Sequence, residues 1–548
     1  MIAGSIALAA VSLPAASAAA GRHGSDPEDA ALAFNPAGYT TITVTVDGAP
    51  MTVRAYSEIC DVARPVAAAA QQPGLGGGST PISNTRCGYQ SINVFVPQAT
   101  AGDQRAPIYF AVNNAGWAAS YIRASVTAGA SYASATSNVG AALKAGYVFV
   151  DVADRSRNLV GADGSWPGKS PAAIVDAKAA VRYLRLNDKR MPGSAERIVV
   201  NGTSGGGALS SILGSAGNSP EYYPYLAQVG AAGITADGRS TIRDDVFAVN
   251  AYCPITDLGN ADRSYEWLFN VLNTRTDLGQ NNLPAAAAAI AAQFPAYEKS
   301  LGLGLSASDL LDTIKREVIR SAETYLKADP ANTIPVLGDS FVIAGGGPPG
   351  TPPSTKSYVN NWIDVDNAAN KVRSVNMKNY LDFVATQATL KTTPAFDPLG
   401  VNGNTTSGAE TNLFGPANQR YLNYTEYSWD HNNVAGDGSG LDDTGLTWAQ
   451  YIRKRSTIVD DQVHLIDPMD FIGTRADTAP YWYVRTGTRD RDTSFIVSIN
   501  LDRALAADRQ VKDVNYRLAW NQPHAGNYDV PEAMAWIAKV VRQVGNPH

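Results

Sequence analysis

The first half of the chain alternates short apolar segments with polar turns. Residues 40–57 alternate β-branched and polar side chains around Asp47-Gly48, a pattern that predicts a β-hairpin with its turn at these two residues. Residues 91–98 form a further predicted strand. Residues 107–112 and 146–152 are nearly continuous apolar runs, which are typical of strands buried on both faces of a sheet.

A helix and a strand that enters a glycine-rich turn follow these segments. Residues 170–188 carry apolar side chains at helical spacing, and Pro171 stands just inside Ser170, which predicts a helix that begins at a serine cap. Residues 197–200 then predict a strand that runs into the sequence NGTSGGGALSS. The alternation of strands and helices predicts an α/β fold with a largely parallel sheet.

This alternation stops after residue 259 and resumes near residue 480. Residues 260–479 are helical, alanine-rich or loop-like, with few convincing buried strands, so we interpret them as one inserted domain. The sheet domain is then discontinuous, with a first part at residues 36–259 and a second part at residues 480–548. In the second part the pattern predicts strands at residues 481–487 and 514–520 and helices at residues 494–507 and 531–544.

Composition narrows the range of ligands. The chain has 548 residues, of which 45% are hydrophobic and 17% are charged, so it can bury a large core and is globular rather than disordered. Its formal net charge is -6 and no dense cluster of Lys and Arg stands out. We therefore expect no nucleic-acid partner and favour a small neutral or weakly acidic ligand.

The N-terminus has the character of an export leader. Residues 1–20 are apolar and end in small residues, which would suit cleavage near Ala18 or Ala20. They lack the basic residues that usually begin a leader, so an alanine-rich disordered segment stays open as the alternative. We find no other apolar run of about 18 residues and expect no membrane span after the leader is removed. The sequence therefore predicts a secreted or periplasmic protein.

The cysteines fit the same compartment. An oxidising environment would permit a disulfide between Cys60 and Cys87, which are close in sequence, and would leave Cys253 buried and free in an apolar stretch. The chain has no CxxC pair and only five histidines. We therefore expect no structural zinc site.

The glycine-rich turn carries the first chemical signal. Residues 202–206, GTSGG, match the G-x-S-x-G nucleophile elbow, in which a serine occupies a tight strand-to-helix turn. Ser204 is then the candidate nucleophile, and both the preceding strand and the following helix are predicted. The alternatives are a glycine-rich turn with an incidental serine and a phosphate-binding loop, which the missing lysine disfavours.

A serine nucleophile needs a base and an orienting acid. In an α/β-hydrolase these follow the serine in the order acid then histidine, after two late strands. His524 follows the last predicted strand, whereas His431 and His464 lie in the predicted insertion. Asp490 and Asp492 both follow the preceding strand, and we choose Asp490 because it lies closer to the strand end.

Two backbone N–H groups would stabilise the oxyanion. The first belongs to Gly205, the residue after the nucleophile, and the second comes from the loop after an early strand, for which we choose Gly116. An ordinary turn after a strand is the alternative for Gly116.

Separate stretches of the chain, in the same order, resemble the bacterial tannases, which are α/β-hydrolases that cleave galloyl esters. The resemblance spans both parts of the sheet domain and part of the insertion. The stretches are NGTSGGGALSSILGSAGNSPEYYPYL, AYCPITDLGNADRSYEWLFN, LKTTPAFD, VRTGTRDRDTS and AWNQPHAGNYDV.

The resemblance implies an α/β-hydrolase fold with a large cap that closes over the substrate, and a triad of Ser204, Asp490 and His524. It also implies that a lysine, a glutamate and a second aspartate bind the phenolic hydroxyls of a gallate ring. These map onto Lys391, Glu410 and Asp492. Because the loop before Glu410 is longer than the resemblance implies, Glu426 stays the alternative glutamate.

The sequence thus predicts a serine esterase for galloyl or related hydroxybenzoyl esters, with no metal or organic cofactor. Its expected partner is a small phenolic ester, and the oligomeric state is left open. A feruloyl-type or general aryl esterase with the same triad is the alternative among enzymes. A catalytically silent α/β-hydrolase that serves as a binding module is the alternative from another class, disfavoured because all three triad positions are filled.

Overall fold

The computed structural model describes residues 27–71, 82, 84–235, 237–345, 354–404, 410–436, 438–454 and 458–543. The predicted leader lies outside the described residues. The strands are β1 Thr40–Val46, β2 Ala49–Cys60, β3 Ala68–Gln71, β4 Ser91–Pro97, β5 Ile108–Val112, β6 Ser131–Tyr132, β7 Val148–Val152, β8 Leu159–Gly161, β9 Ile198–Thr203, β10 Ala248–Tyr252, β11 Ser340–Gly345, β12 Ser354–Val359, β13 Ile363–Asp366, β14 Lys371–Val375, β15 Tyr481–Gly487 and β16 Asp513–Ala519.

The helices connect and cover these strands. The α-helices are α1 Pro27–Ala31, α2 Asn138–Lys144, α3 Ala172–Leu186, α4 Gly205–Ser215, α5 Tyr223–Val229, α6 Leu258–Asn270, α7 Thr274–Asp277, α8 Pro284–Ala291, α9 Phe294–Ser300, α10 Ala307–Ala328, α11 Met377–Gln387, α12 Glu426–Asp430, α13 Leu441–Thr444, α14 Trp448–Lys454, α15 Ile458–His464, α16 Phe495–Ala507 and α17 Val530–Gln543. Short 3-10 turns occur at Gln98–Thr100, Ala115–Trp117, Ala195–Arg197, Pro220–Tyr222, Glu410–Leu413 and Pro468–Asp470.

Ten strands form one central sheet in the order β16-β15-β10-β9-β5-β7-β4-β2-β1-β6. From β7 to β16 all neighbours pair in parallel, whereas β7 with β4, β4 with β2, and β2 with β1 pair antiparallel. The predicted α/β fold with a mostly parallel sheet is confirmed. Parallel strands bring their carboxyl ends to one edge of the sheet, where ligands bind in this class of fold.

Most of the predicted strands and helices of the sheet domain form close to their predicted positions. The hairpin turn lies at Asp47 and Gly48, which have φ of 50° and 81° and connect β1 to β2. The apolar runs predicted as doubly covered strands are β5 and β7, and every residue in both is buried.

The predicted serine cap of α3 is wrong. The helix begins at Ala172, and Pro171 rather than Ser170 stands at its N-cap, without a side-chain hydrogen bond. The Ser170 hydroxyl instead donates to the Gln462 carbonyl oxygen at 2.5 Å. A tertiary contact has therefore replaced the local cap that the sequence pattern favours.

The chain between β10 and β15, residues 253–480, is called the insertion below. It contains helices α6 to α15 and the two hairpins β11–β12 and β13–β14. One buried apolar cluster includes Leu209 and Trp482 of the sheet domain together with Leu310, Phe396 and Trp429 of the insertion. The insertion and the sheet therefore share a hydrophobic core, and the domain boundaries at residues 260 and 479 stay a prediction.

Within the part of the chain that the structure describes, we find no helix that combines the length and the apolar character needed to cross a membrane.

The predicted disulfide is confirmed. Cys60 ends β2, Cys87 lies in the turn before β4, and the two sulfur atoms are bonded, closing a loop with a sequence separation of 27 residues. Cys253 is free and buried, as expected.

We expect reduction of this disulfide to lower the stability of the folded protein without changing its fold. In the chain-entropy model, a crosslink across this loop lowers the entropy of the unfolded chain and so raises the free energy of unfolding by about 3 to 4 kcal/mol. The measurement is the thermal unfolding midpoint of the wild type and of a Cys60→Ser/Cys87→Ser variant, each with and without reductant. Reductant should lower the midpoint of the wild type only. Equal midpoints for the wild type and the variant in the absence of reductant would contradict the prediction.

Candidate active site

Ser204 occupies a sharp turn between β9 and α4. Its φ of 61° and ψ of -123° lie outside the regions that a serine usually adopts, so the surrounding structure holds it in a strained conformation. A Cβ atom on Gly202 would lie 2.1 Å from the Gly206 carbonyl oxygen. The strand can therefore turn into the helix only if residue 202 is glycine, which is the physical reason for the first glycine of the motif.

Backbone hydrogen bonds fix this turn to the end of the neighbouring strand β10. The Ser204 N–H donates to the Tyr252 carbonyl oxygen at 2.9 Å, and the Ile255 N–H donates to the Ser204 carbonyl oxygen at 3.3 Å. The turn thus rests on both the parallel pairing of β9 with β10 and the first residues of the insertion.

Ser204, His524 and Asp490 form one continuous hydrogen-bonded chain. His524 Nε2 lies 2.9 Å from Ser204 Oγ, and His524 Nδ1 lies 2.8 Å from Asp490 Oδ2. Asp490 is fully buried, whereas the His524 side chain retains 17% exposure. Asp490 follows β15 and His524 follows β16, so the parallel pairing of these strands brings the two side chains to the same sheet edge as Ser204.

Asp490 and His524 stabilise each other's charged forms. Burial disfavours the imidazolium, but the Asp490 carboxylate reverses this effect and raises the pKa of His524 well above its ordinary value. Burial alone would raise the pKa of Asp490, yet the charge and hydrogen bond of His524 hold it below the ordinary value. Asp490 is therefore an anion that can orient and stabilise a protonated His524.

Asp492 lies next to this hydrogen-bonded chain, but its side chain has a different partner. Its backbone N–H donates to Asp490 Oδ1 at 2.8 Å, which fixes the second oxygen of that carboxylate. Its own side chain pairs with Arg491, with 2.8 Å between Asp492 Oδ1 and Arg491 Nη1.

Cys253 lies beside this hydrogen-bonded chain, although its sequence context did not indicate a place in the site. It directly follows β10 with a φ of 44°, and its Sγ lies 3.2 Å from the Ala525 carbonyl oxygen. Burial, reinforced by the Asp490 carboxylate, raises the pKa of the thiol. One ligand atom each from Cys253, Asp490 and His524 lie within 4.8 Å of one another, which makes these residues a candidate metal-binding group.

The two histidines of the insertion have other contacts. The His431 ring stacks on Tyr427 with 3.9 Å between ring centroids. His464 lies between Asp470 and Glu221, at 3.0 Å and 2.7 Å, and the hydrogen bond with Asp470 is the main cause that raises its pKa to about 9.

The two predicted oxyanion residues lie on backbone segments that touch. A Cβ atom on Gly205 would lie 2.4 Å from the Trp117 backbone nitrogen, so the loop of Gly116 packs directly against the first residue of α4. Gly116 has a φ of 58°, and its carbonyl oxygen accepts a hydrogen bond from Arg157 Nε at 2.5 Å. The N–H of Gly205 lies in the first turn of α4, where N–H groups have no partner within the helix.

Tyr265 connects the segments of Lys391 and Asp492. The Lys391 N–H donates to the Tyr265 hydroxyl at 3.1 Å, and that hydroxyl donates to the Arg491 carbonyl oxygen at 2.7 Å. The Lys391 ammonium lies 3.9 Å from the centroid of the Phe396 ring, on its face. The structure therefore holds these two segments together through one buried phenol, which no local sequence pattern indicated.

The two candidate glutamates differ in environment. Glu410 is buried in the turn Glu410–Leu413, and its charge favours the charged form of Arg157, a buried residue whose pKa is lowered by burial. Glu426 is exposed at the start of α12 and lines a cavity of about 820 Å³ together with Asn260 and Asp467.

The central sheet, the strained serine turn and the hydrogen-bonded chain at its carboxyl edge define the class of an α/β-hydrolase. The model of a family described as BD-FAE matches residues 92–284, which include the serine turn. Among curated proteins, no sequence matches this chain.

Solved structures give the nearer relationship. A tannase from Fusobacterium nucleatum is 28% identical, with a TM-score of 0.69, and the match covers 93% of this chain and 99% of that one. A tannin acyl hydrolase from Lactobacillus plantarum is 27% identical, with a TM-score of 0.68 and the same coverage. The chain is thus a structural relative of the bacterial tannases, as its motifs indicated, and the comparisons support a hydrolase of the esterase type.

We expect the pKa of His524 to lie well above 6.5 in the wild type and to fall in Asp490→Asn, because burial without the carboxylate disfavours the imidazolium. The measurement is an NMR titration of the full chain with labelled histidine. Asp492→Asn is the matched control and should leave the titration of His524 nearly unchanged, since its side chain pairs with Arg491. An identical His524 titration in wild type and Asp490→Asn would refute the assignment of the shift to Asp490.

Proposed function

We propose that the protein is a serine esterase that hydrolyses galloyl and related hydroxybenzoyl esters through an acyl-enzyme. The observation that carries this proposal is the continuous hydrogen-bonded chain from Ser204 through His524 to the buried Asp490. A serine hydroxyl is a weak nucleophile, and this arrangement supplies both the base that activates it and the acid that orients the base.

In the proposed reaction the neutral form of His524 is the active one. Ser204 Oγ attacks the ester carbonyl carbon while His524 Nε2 takes the hydroxyl proton. The carbonyl oxygen becomes an oxyanion, which the N–H groups of Gly205 and Gly116 would stabilise. The protonated His524 then gives its proton to the leaving alcohol as the acyl–oxygen bond breaks. Water repeats the sequence on the acyl-enzyme, releasing the acid and restoring the Ser204 hydroxyl.

The acyl ring would be bound by Lys391, Asp492 and a glutamate. Carboxylates accept hydrogen bonds from phenolic hydroxyls, whereas an ammonium donates to a phenol oxygen, so together the three residues suit vicinal hydroxyls. The link through Tyr265 supports this proposal, because it holds the segments of Lys391 and Asp492 together. Tannin acyl hydrolases have also been solved in complex with ethyl gallate and with 3,4-dihydroxybenzoate, at 27% and 29% identity to this chain.

Burial favours Glu410 over Glu426 as the glutamate of this set. Glu410 has 6% exposure, so a substrate hydroxyl that paired with it would form a hydrogen bond shielded from water. Glu426 is exposed, where water competes for the same carboxylate. Residues 260–479 would act as the cap that encloses the ring.

The proposed compartment is outside the cytoplasm, in the periplasm or the medium. The Cys60–Cys87 disulfide supports it, because such bonds persist in oxidising environments. The leader-like residues 1–20 supply the export signal in this proposal.

We expect Ser204→Ala and His524→Ala each to fold and to lose on the order of 10⁶ in kcat on methyl gallate, because the residues of a triad act as a unit. Removing the Asp490 carboxylate in Asp490→Asn should also impair turnover severely. The measurement is steady-state hydrolysis, with circular dichroism to verify folding. His431→Ala is the matched control, because His431 takes no part in the hydrogen bonds between Ser204, His524 and Asp490, and this variant should retain activity. Near-native turnover by the Ser204 or His524 variant would exclude the mechanism.

Acyl selectivity tests the ring-binding residues. We expect methyl gallate to exceed methyl benzoate in kcat/KM by about 10⁴ to 10⁵, because benzoate leaves the polar groups of the site unpaired. Lys391→Ala should lower kcat/KM for gallate steeply and for benzoate little. Lys356→Ala, at an exposed lysine of β12, is the control and should change neither value.

Glu410→Ala should follow the pattern of Lys391→Ala, and Glu426→Ala should not. If Glu426→Ala alone lowered gallate hydrolysis, the assignment of the glutamate would be wrong. Equal efficiency on gallate and benzoate in the wild type would exclude the ring-binding site and leave a general aryl or feruloyl-type esterase.

A further inference from the structure

Cys253 joins His524 and Asp490 of the hydrogen-bonded chain in a group of three different metal-ligand types. Cys253 offers a thiol, Asp490 a carboxylate oxygen and His524 a ring nitrogen, and these atoms lie within 4.8 Å of one another. The three residues follow the adjacent strands β10, β15 and β16, whose parallel pairing fixes their spacing. The pairing of these strands therefore sets where the short segments that carry the three residues begin.

The spacing suits a tetrahedral cation. Zinc binds sulfur at about 2.3 Å and imidazole nitrogen or carboxylate oxygen at about 2.0 to 2.2 Å, so its ligand atoms stand roughly 3.5 Å apart. His524 Nδ1 and Asp490 Oδ2 are 2.8 Å apart. One ligand atom each from Cys253, Asp490 and His524 lie within 4.8 Å of one another. Side-chain adjustments on the order of 1 Å would bring all three into coordination distance.

The chemistry of the set selects the kind of cation. One thiolate, one imidazole and one carboxylate are all zinc ligands, and three protein ligands with an open fourth position are the pattern of an accessible zinc site. A thiolate disfavours hard cations such as Mg²⁺, which prefer oxygen ligands.

We propose that Cys253, Asp490 and His524 form an inhibitory site for a zinc-like divalent cation, Zn²⁺ or Cd²⁺. On binding, the Cys253 thiol and the protonated form of His524 each lose a proton to solvent. Metal–sulfur and metal–nitrogen bonds then form, with no change in oxidation state. The site is no resident cofactor site, because occupying it would remove the base that the proposed esterase needs.

Inhibition follows at either ring nitrogen of His524 and rests on the proposed function. A cation on Nε2 occupies the lone pair that would accept the Ser204 proton. A cation on Nδ1 leaves the proton of the neutral imidazole on Nε2, which then cannot act as an acceptor. A cation on Nδ1 also replaces the hydrogen bond between His524 and Asp490.

The binding test uses the untagged full chain carrying Ser204→Ala, which keeps all three ligands. We expect calorimetry with Zn²⁺ to give one site that Mg²⁺ does not fill, and Cd²⁺ to produce the ultraviolet absorption of a metal–thiolate bond. Adding Cys253→Ala should weaken the binding of Zn²⁺ by at least about 100-fold. Loss of a residue that only supports a metal ligand already costs about 10- to 100-fold in affinity, and Cys253 would be a ligand itself. Cys253→Ser preserves the size of the side chain should the alanine variant fail to fold.

Equal Zn²⁺ affinity with and without the Cys253 thiol, or the absence of any Zn²⁺ site, would overturn the inference. Its failure is distinguishable from failure of the proposed function. If wild-type protein hydrolyses esters but Zn²⁺ neither binds nor inhibits, the cation site is wrong. If Zn²⁺ binds through Cys253 in a chain that hydrolyses no ester, the site stands and the esterase proposal falls. If both are right, Zn²⁺ abolishes hydrolysis and a chelator restores it.

Discussion

The parallel pairing of β10 with β15 is the constraint on which the site depends. It sets Ala248 opposite Tyr481 and Tyr252 opposite Arg485, although the whole insertion separates the two strands in sequence. Without this register the loop of Asp490 would not lie beside the turn of Ser204. Because β16 then pairs with β15, His524 reaches the same edge, and three distant segments meet within hydrogen-bond distance.

The same edge shows how a buried charge can be retained. Asp490 has no exposed surface, and an isolated carboxylate there would take up a proton. Its two oxygens are instead used by His524 and by the backbone N–H of Asp492. Burial therefore strengthens the pair and fixes the orientation of the imidazole.

Much of the sheet domain could be predicted because its signals are local. The hairpin at Asp47-Gly48, the buried strands β5 and β7 and the helix α16 each follow from a short residue pattern. Ser204, His524 and Asp490 could be chosen for a similar reason, since each follows a predicted strand. The topology of the sheet then dictates the edge at which they lie.

What could not be predicted depends on contacts between segments far apart in sequence. The Ser170 cap was lost because a carbonyl of the insertion competes for its hydroxyl. Tyr265 joins Lys391 to Arg491 through hydrogen bonds that no nearby pattern reveals. Arg157 likewise donates to the Gly116 carbonyl oxygen, and the distant Glu410 favours its charged form. The sequence of the insertion shows few convincing buried strands, whereas the structure forms two hairpins there, and β13 buries Ile363 and Val365.

The position of the insertion also has a consequence for synthesis of the chain. When β10 leaves the ribosome, its partner β15 is separated from it by residues 253–480, which take about 10 to 50 s to translate at 5–20 residues per second. During that interval β10 presents an unpaired edge whose residues are all buried in the finished sheet. An unpaired apolar edge of this kind is a template for aggregation, so the long insertion lengthens the time for which the nascent chain carries this hazard.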